Sequence, residues 1–144
     1  MVTTERADEV SVLLAMIREW AERRPDVVAV GLVGSWAHGD ARMDSDVDVA
    51  LVTEDRKPYL EDHAWVRELG GVRIVRTRRW GPMTERRFVM PSGLEVEVGV
   101  GLPSWLDPAD EGVRRTVKDG MWVVYDPRGI LAALLDACSL RESS

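Results

Sequence analysis

Apolar runs early in the chain predict two strands, of which the first is expected to be fully buried. The first run is unbroken over residues 27–33, and the second, at residues 47–52, is interrupted by Asp48. Short apolar runs bounded by turn residues are typical of strands that are covered on both faces. The connection at residues 34–46 is too short for a long crossover helix, so we expect neighbouring antiparallel strands with a single helical turn at residues 35–39.

Helical periodicity precedes and follows these strands. Apolar side chains recur with the i, i+3, i+4, i+7 spacing of an amphipathic helix over residues 4–23, which Thr3 or Thr4 can cap. A second helix is expected at residues 58–69, because Pro58 suits a first helical position and glycines follow the last apolar residue.

Two further helices are expected near the end of the chain. One is a short helix that starts at Asp107 or Asp110. The other follows Asp126, which can serve as its N-cap with Pro127 in the first helical position. Residues 141–144 are expected to be frayed.

Alternating apolar and polar positions predict the remaining strands. Strands are expected at residues 72–77, 87–90, 94–100 and 121–125. Residues 91–93 are a Pro-Ser-Gly turn that predicts a hairpin, and residues 78–82 are expected to form a loop. Because no linker, repeat or low-complexity segment interrupts the chain, we predict one α/β (α+β) domain over residues 1–144, with a short mixed sheet flanked by helices.

Composition and charge narrow the function classes. The 144 residues are 45% apolar and 31% charged, as in a soluble globular domain with a real core. The net charge of −6 argues against extended nucleic-acid binding, which needs basic surfaces. No apolar run approaches the roughly 18 residues that span a bilayer, so no membrane association is expected. Cys138 is the only cysteine, so no intrachain disulfide is available and we expect a cytoplasmic protein.

The connection between the two buried strands carries candidate chemistry. Gly34 and Ser35 follow the first strand, where backbone N–H groups and a hydroxyl can face a phosphate. Asp46 and Asp48 open the second strand, and side chains two residues apart share one face of a strand. Their Cα atoms would lie about 7 Å apart, so both carboxylates can reach one divalent cation. We therefore hypothesise a metal-dependent nucleotide site.

A third acidic position lies in the strand expected at residues 94–100. Glu95 and Glu97 alternate with valines and are followed on the same face by Gly99 and Gly101. Glycine weakens a strand interior, so this face is expected to look into a site where a ligand or a backbone comes close. Converging carboxylates raise one another's pKa, and divalent metal ions relieve that repulsion. An oxygen-only site of this kind suits magnesium.

These residues resemble the signature of a known superfamily. Gly34 and Ser35, ten intervening residues, then Asp46, Val47 and Asp48 are similar to the motif of the nucleotidyltransferases related to DNA polymerase beta. The resemblance implies a polymerase-beta-like fold with a short mixed sheet. It also implies an enzyme that transfers a nucleoside monophosphate from a nucleoside triphosphate, usually ATP, to a hydroxyl acceptor and releases pyrophosphate.

The resemblance further implies a role for each matching position. Gly34 and Ser35 would bind the β- and γ-phosphates, and Asp46 and Asp48 would bind two magnesium ions, for which manganese can substitute. The family's third carboxylate matches Glu97 best. It would bind the catalytic metal and help to deprotonate the acceptor hydroxyl.

Other residues around this site are further candidates. Glu95 shares the face of Glu97 and stays an alternative third carboxylate, since the family more often has the shorter aspartate at this place. Arg42 and Asp44, together with the small size of the chain, resemble the minimal nucleotidyltransferases, and Asp44 can act behind the metal ligands. His38 lies in the phosphate loop and can contact a phosphate or the acceptor.

Arginines cluster in sequence around the middle strands. A basic rim there can steer a triphosphate or an anionic acceptor, although charged residues also protect the edge strand of a sheet. The arginines concerned are Arg73, Arg76, Arg78, Arg79, Arg86 and Arg87.

The acceptor side leaves several functions open. Larger relatives hold the acceptor with an additional helical domain, for which this chain has no room. The acceptor, a small molecule or a protein, would then be bound by the domain's own cleft, by a second copy in a homo-oligomer, or by a partner protein. Two alternatives stand beside transfer. One is an antitoxin-type module that adenylylates or masks a helical toxin, and the other is a nucleotide sensor without turnover.

Overall fold

Six strands form one mixed sheet in the computed structural model, which describes residues 2–80 and 83–143. The strands are β1 (Val27–Val33), β2 (Val47–Thr53), β3 (Arg73–Trp80), β4 (Met83–Val89), β5 (Glu95–Gly101) and β6 (Trp122–Tyr125). The helices are α1 (Thr4–Glu22), α2 (Ser35–His38), α3 (Lys57–Glu61), α4 (Ala64–Glu68), α5 (Glu111–Asp119) and α6 (Ile130–Ser143), with a 3-10 turn at Pro103–Trp105. The predicted class, a mixed sheet flanked by helices, is confirmed.

The order of the strands brings three strand ends to one edge. Across the sheet the order is β3-β4-β5-β2-β1-β6. The pair β2–β5 is parallel, and the other neighbouring pairs are antiparallel. The antiparallel β1–β2 pair and the β4–β5 hairpin were both predicted from the sequence. Because β1 ends where β2 and β5 begin, these three ends lie side by side.

One face of the sheet packs against α1, α3 and α4. The residues of β2 and β5 buried on it are Val47, Val49, Leu51, Val96, Val98 and Val100. Aromatic rings fill the layer between sheet and helices, with the Trp65 ring centroid 5.9 Å from that of Tyr59 and 5.8 Å from that of Phe88, in edge-to-face contact. Alternation along the strands places Asp48 and Glu97 on the opposite face.

The helix expected at residues 58–69 is divided into α3 and α4. The break lies at Asp62, which has extended backbone (φ −104°, ψ 162°) and whose carbonyl accepts a hydrogen bond from Trp65 Nε1 at 3.1 Å. In one continuous helix Tyr59 and Trp65 would point about 120° apart around the axis. Both rings are at most 2% exposed in the same core. The prediction of a single helix is wrong because burying both rings outweighs helical continuity.

Strands β3 and β4 are longer than the strands predicted at residues 72–77 and 87–90, and they form a hairpin that was not predicted. A loop was expected at residues 78–82, but β3 continues to Trp80, so this prediction is wrong for residues 78–80. Residues 81 and 82 lie outside the described residues. Arg78 pairs with Glu85 across the hairpin. A cross-strand pair of opposite charge stabilises the extended ladder, an interaction that periodicity alone does not reveal.

Helix α6 begins later than predicted. It starts at Ile130 rather than after Asp126, because Gly129 turns the backbone with φ +69°. Pro127 therefore precedes the helix instead of occupying its first position. The Asp126 carboxylate still accepts hydrogen bonds from two N–H groups of the first turn, at 3.2 and 3.0 Å, and so satisfies them from outside the helix.

Two other predicted caps are observed. Thr3 Oγ1 accepts a hydrogen bond from the Arg6 N–H at the start of α1, and Asp110 Oδ1 caps α5 in the same way. At the other end, α6 continues to Ser143, past the predicted onset of fraying, and residue 144 lies outside the described residues. Within the described ranges, none of the helices has the length and apolar character needed to cross a bilayer.

Candidate nucleotide and metal site

Three carboxylates meet at the edge where β2 and β5 begin. Asp48 and Glu97 are register partners in the parallel pair, so their side chains lie next to each other on one face. Asp46 stands immediately before β2 on the same side. Oxygen atoms of the three carboxylates lie within 4.8 Å of one another. The structure therefore brings together the three acidic residues singled out from the sequence.

Gly34 contacts this cluster from the end of β1. Val33 pairs with Asp48 across the antiparallel ladder, which places the next residue against the Asp48 carboxylate. Gly34 has φ +76° and ψ −161°, a region that only glycine adopts readily, and a Cβ at this position would lie 2.1 Å from Asp48 Oδ2. Ser35 follows as the first residue of α2, the predicted single turn. The expected phosphate-binding pair thus adjoins the carboxylates.

Two arginines from the neighbouring strands neutralise the acidic cluster. Arg87 Nη2 donates to Asp46 Oδ2 at 2.7 Å and to Glu97 Oε2 at 3.2 Å, and its Nη1 donates to Glu95 Oε1 at 3.1 Å. Arg76 Nη2 donates to Glu97 Oε1 at 2.8 Å. From the sequence these arginines are visible only as members of a basic rim. The hairpin register that pairs Arg87 with Glu97 is the signal that identifies the contact.

The surroundings shift the pKa values of Asp48 and Glu97 in opposite directions. Burial, aided by the charges of Asp46 and Glu97, raises the pKa of Asp48 from 3.8 to about 7. Burial also opposes the ionisation of Glu97, but hydrogen bonds from Arg76 and Arg87 outweigh it and lower the pKa of this carboxyl. At neutral pH the cluster therefore holds an ionised Glu97 beside an Asp48 that is partly protonated.

Glu85 of β4 is a fourth carboxylate at this site, and the sequence analysis missed it. Its side chain shares a hydrogen bond with Glu97, and burial together with the Glu97 charge raises its pKa, against the opposing influence of Arg78 and Arg76. Glu85 and Arg87 lie two residues apart and so share one face of β4. Alternation within this strand would have identified Glu85, had the strand been predicted to begin before residue 87.

The cluster fits a hard divalent cation. All three donors are carboxylates, the ligands that magnesium prefers, and two oxygens on one magnesium ion lie about 3–4 Å apart. The spacing within 4.8 Å is close to that requirement. Arg87 Nη2 contacts two of the three carboxylates and supplies the positive charge that a cation would otherwise provide.

Two of the remaining candidates lie at the border of the cluster. Glu95 has a side chain that is 44% exposed and is not among the carboxylates that lie within 4.8 Å of one another. Asp44 lines a small cavity of about 260 Å³ together with Asp46, Arg87 and Glu95. This placement favours Glu97 over Glu95 as the third carboxylate and puts Asp44 in the wall of a cavity that Asp46 also lines.

The other two candidates lie further out. His38 is exposed at the end of α2, where a Cβ built on Gly120 would lie 3.7 Å from its Cδ2 atom, so it stands over the end of α5. Arg42 is exposed, and its backbone N–H donates to Ser45 Oγ at 2.8 Å. The structure does not bring either side chain into the acidic cluster.

The glycine face of β5 is approached by side chains of the chain itself. A Cβ at Gly101 would lie 3.0 Å from Met83 Sδ and 3.2 Å from Trp105 Cε3, whereas at Gly99 the nearest atom is Met83 Cε at 3.4 Å. The close approach at Gly101 is therefore made by Met83 and Trp105, rather than by the ligand or backbone expected from the pattern.

Arg86 does not belong to the expected basic rim. It is 3% exposed on the core face of the sheet, and its Nη1 donates to the backbone carbonyls of Tyr59 and Leu60, both at 2.7 Å. These carbonyls end α3, where a cation stabilises the unpaired backbone groups. Arg86 is a structural residue.

Comparison with known sequences points to one family. A family model described as streptomycin adenylyltransferase matches residues 8–89, which include Gly34, Asp46 and Asp48 but not Glu97. No curated protein matches the sequence.

Solved structures resemble the fold. A cytoplasmic RNA terminal U-transferase superposes with a TM-score of 0.54 at 15% identity, over 82% of this chain and 34% of that chain. The Cid1 poly(U) polymerase gives 0.55 at 15% identity, over 82% and 35%, and Cid1 in complex with the UTP analogue UMPNPP gives 0.52 at 17%, over 82% and 35%. The chain thus spans about a third of the length of these structures. At such identities the similarity lies in the fold, and it confirms the expected polymerase-beta-like sheet.

Proposed function

Because the chain belongs to the streptomycin adenylyltransferase family and is a nucleotidyltransferase, we propose that it transfers a nucleoside monophosphate from ATP to a hydroxyl group of a small molecule or a protein. Pyrophosphate is the second product, and magnesium is the metal ion required. The observation that carries this proposal is the convergence of Asp46, Asp48 and Glu97 within 4.8 Å, in contact with Gly34.

Gly34 and Ser35 form the donor's phosphate site in this proposal. The Ser35 hydroxyl and nearby backbone N–H groups can donate to phosphate oxygens, and such charge-assisted hydrogen bonds are among the stronger ones. The contact between Gly34 and the Asp48 carboxylate joins this loop to the acidic cluster. A triphosphate whose β- and γ-phosphates occupy the loop therefore has its α-phosphorus beside the carboxylates.

Asp46, Asp48 and Glu97 are the residues that would hold two magnesium ions. When bound, magnesium acts as a Lewis acid that neutralises charge on the triphosphate and makes the acceptor hydroxyl easier to deprotonate. Arg76 and Arg87 lower the pKa of Glu97, so this carboxylate is ionised at neutral pH, the form that would hold a metal ion. Its second role in the proposal, to accept the hydroxyl proton, needs one of its oxygens to be released from Arg76 or Arg87.

The test is release of pyrophosphate from ATP labelled at the α-phosphate, in the presence of magnesium and a panel of hydroxyl acceptors. We expect the label on the acceptor, and we expect Asp48→Asn to reduce pyrophosphate release by more than about 100-fold, because a carboxylate that would hold the magnesium ions is lost. ATP should be the best donor when the four ribonucleoside triphosphates are compared.

Asp136→Asn is the matched control. Asp136 is exposed on α6, so the same change of charge there should leave turnover unchanged. Equal turnover in wild type and Asp48→Asn would contradict the proposal. Circular dichroism of both variants verifies that they are folded.

A further inference from the structure

An apolar groove adjoins the acidic cluster on the same face of the sheet. Its floor includes Ala50 of β2 and Gly99 of β5, which are register partners. Asp48 and Glu97 form the preceding register pair on this face, so the groove begins about 7 Å from them, one row of side chains along the strands. Its volume of about 540 Å³ falls within the range of about 300–1,000 Å³ that is typical of small-molecule sites.

Apolar side chains from several elements line the groove. Met83 of β4 and Trp105 of the 3-10 turn contribute to it. The other side chains are those of Val113 in α5, Leu134 in α6 and Met121, which lies just before β6. A ligand that buries apolar surface against these side chains is stabilised because that surface is removed from water. The lining therefore favours a ligand with an apolar body.

The charged groups that line the groove are negative. The polar side chains among its lining residues are Ser104, Asp107, Asp110 and Thr116. Asp107 Oδ1 and Asp110 Oδ1 accept backbone hydrogen bonds at 2.8 and 3.0 Å, which hold both carboxylates in place. Within the described part of the chain no Lys, Arg or His lines the groove, although the Arg56 guanidinium lies 4.6 Å from the centroid of the Trp105 ring. A ligand phosphate would thus lie near carboxylates with no lining cation to pair with it.

We propose that this groove binds the acceptor, and that the acceptor is a small molecule without negative charge that carries its hydroxyl group on an apolar body. The inference rests on the proposed function and names its substrate class. A molecule lying over Ala50 and Gly99 presents one end to Asp48 and Glu97, where the transferred phosphorus would be. A nucleic-acid acceptor would carry its phosphates towards Asp107 and Asp110.

The test measures binding of defined probes to the intact chain. The probes are three uncharged aryl alcohols, 2-(1-naphthyl)ethanol, 3-phenylpropanol and 4-biphenylmethanol, and the phosphate monoester of each. Binding is followed by saturation-transfer NMR and calorimetry, and binding of ATP with magnesium is measured separately. We expect at least one alcohol to bind saturably and its phosphate ester to bind at least about tenfold more weakly, because the charge is desolvated without a partner.

Two variants narrow the groove from different sides. Ala50→Leu fills the floor, and Thr116→Phe adds a ring from α5 at a position that is exposed and can accept it without repacking the core. Each should weaken alcohol binding by at least about tenfold, as expected when a fitted apolar pocket loses its space, and should leave ATP binding within twofold. Ala132→Leu, the same substitution at an exposed position of α6, should leave alcohol and ATP binding unchanged.

Several outcomes overturn the proposal. The proposal is wrong if none of the three alcohols binds saturably, or if an alcohol and its phosphate ester bind equally well. It is also wrong if Thr116→Phe leaves alcohol binding unchanged. Loss of ATP binding in Thr116→Phe would assign the groove to the base of the donor nucleotide instead. If Ala50→Leu does not fold, the result for Thr116→Phe alone decides whether the groove binds the alcohols. Absence of pyrophosphate release from ATP would contradict the proposed function instead. The binding of the alcohol probes is measured without turnover, so its result does not depend on that assay.

Discussion

Arg87 donates a hydrogen bond through Nη2 to the Asp46 carboxylate at 2.7 Å. The same nitrogen reaches Glu97 Oε2 at 3.2 Å, so one guanidinium group bridges two of the three carboxylates proposed to bind metal. A divalent cation bound between these carboxylates would have to replace that bridge. We therefore expect Arg87 to lower the affinity of the acidic cluster for a metal ion.

Arg87→Met should consequently bind Mn²⁺ more tightly than wild type. The gain should be roughly tenfold at pH 8, since a hydrogen bond to a charged group contributes about 1.5–3 kcal/mol that the metal no longer has to displace. Titration followed by electron paramagnetic resonance measures the free Mn²⁺. Arg128→Met is the matched control, because Arg128 forms an exposed ion pair with Glu54 at 2.8 Å. Unchanged or weaker Mn²⁺ binding in Arg87→Met would show that Arg87 does not compete with the metal ion for the carboxylates.

The raised pKa of Asp48 should make the metal-free protein less stable at alkaline pH. Since the pKa rises from 3.8 to about 7, the folded state holds the Asp48 proton more tightly than the unfolded state does. The free energy of unfolding attributable to this group therefore falls as pH rises from about 4 to 7 and stays low above 7. Asp48→Asn escapes this loss, so it should be more stable than wild type by about 1–3 kcal/mol at pH 8.

Urea denaturation in EDTA at pH 4 and at pH 8 measures this effect. The advantage of Asp48→Asn should be small at pH 4 and large at pH 8, while Asp136→Asn should follow wild type at both. An advantage of Asp48→Asn that does not change with pH would show that the Asp48 proton is not its source. Adding magnesium at pH 8 should stabilise wild type more than the variant, because the ion binds the ionised form.

Gly34→Ala should disrupt the site, whereas Gly39→Ala should not. Both glycines have positive φ, +76° and +86°, so both substitutions strain the backbone. A Cβ at Gly34 also meets Asp48 Oδ2 at 2.1 Å, while a Cβ at Gly39 has nothing within 4 Å. Gly34→Ala should lower stability by about 1–3 kcal/mol and weaken Mn²⁺ binding. Gly39→Ala should pay a smaller cost in thermal stability and keep its Mn²⁺ affinity; equal affinities in the two variants would argue against the contact.

Glu97→Gln and Glu95→Gln should separate the two candidates for the third carboxylate. Both residues accept a hydrogen bond from Arg87, and Glu97 accepts a second one from Arg76 Nη2 at 2.8 Å. Glu97 belongs to the group within 4.8 Å and Glu95 does not. Glu97→Gln should weaken Mn²⁺ binding and pyrophosphate release by more than about tenfold, and Glu95→Gln by less than about threefold. The reverse order would assign the role to Glu95.

Local sequence was sufficient for the part of the site that is continuous in the chain. The buried strand β1, the glycine turn and β2 follow one another, and the short connection between them leaves the antiparallel pair as the simplest arrangement. Alternation along β5 placed Glu95 and Glu97 on one face, without deciding which of them meets Asp48. The predictions failed where a distant contact overrode local preference, as in the helix broken at Asp62 to bury Tyr59.

What the chain encodes locally is therefore the stretch proposed to bind the donor, namely Gly34 and Ser35 after β1 and Asp46 and Asp48 at the start of β2. The tertiary structure decided the remainder. The parallel register of β2 with β5 placed Glu97, rather than Glu95, beside Asp48. The β4–β5 register paired Arg87 with Glu97, and from there its guanidinium reaches Asp46. Pairing between strands that are far apart in sequence depends on the packing of the whole sheet. Periodicity within a single strand shows which residues share a face, but it does not show which strand will be the partner or in which register the two will pair.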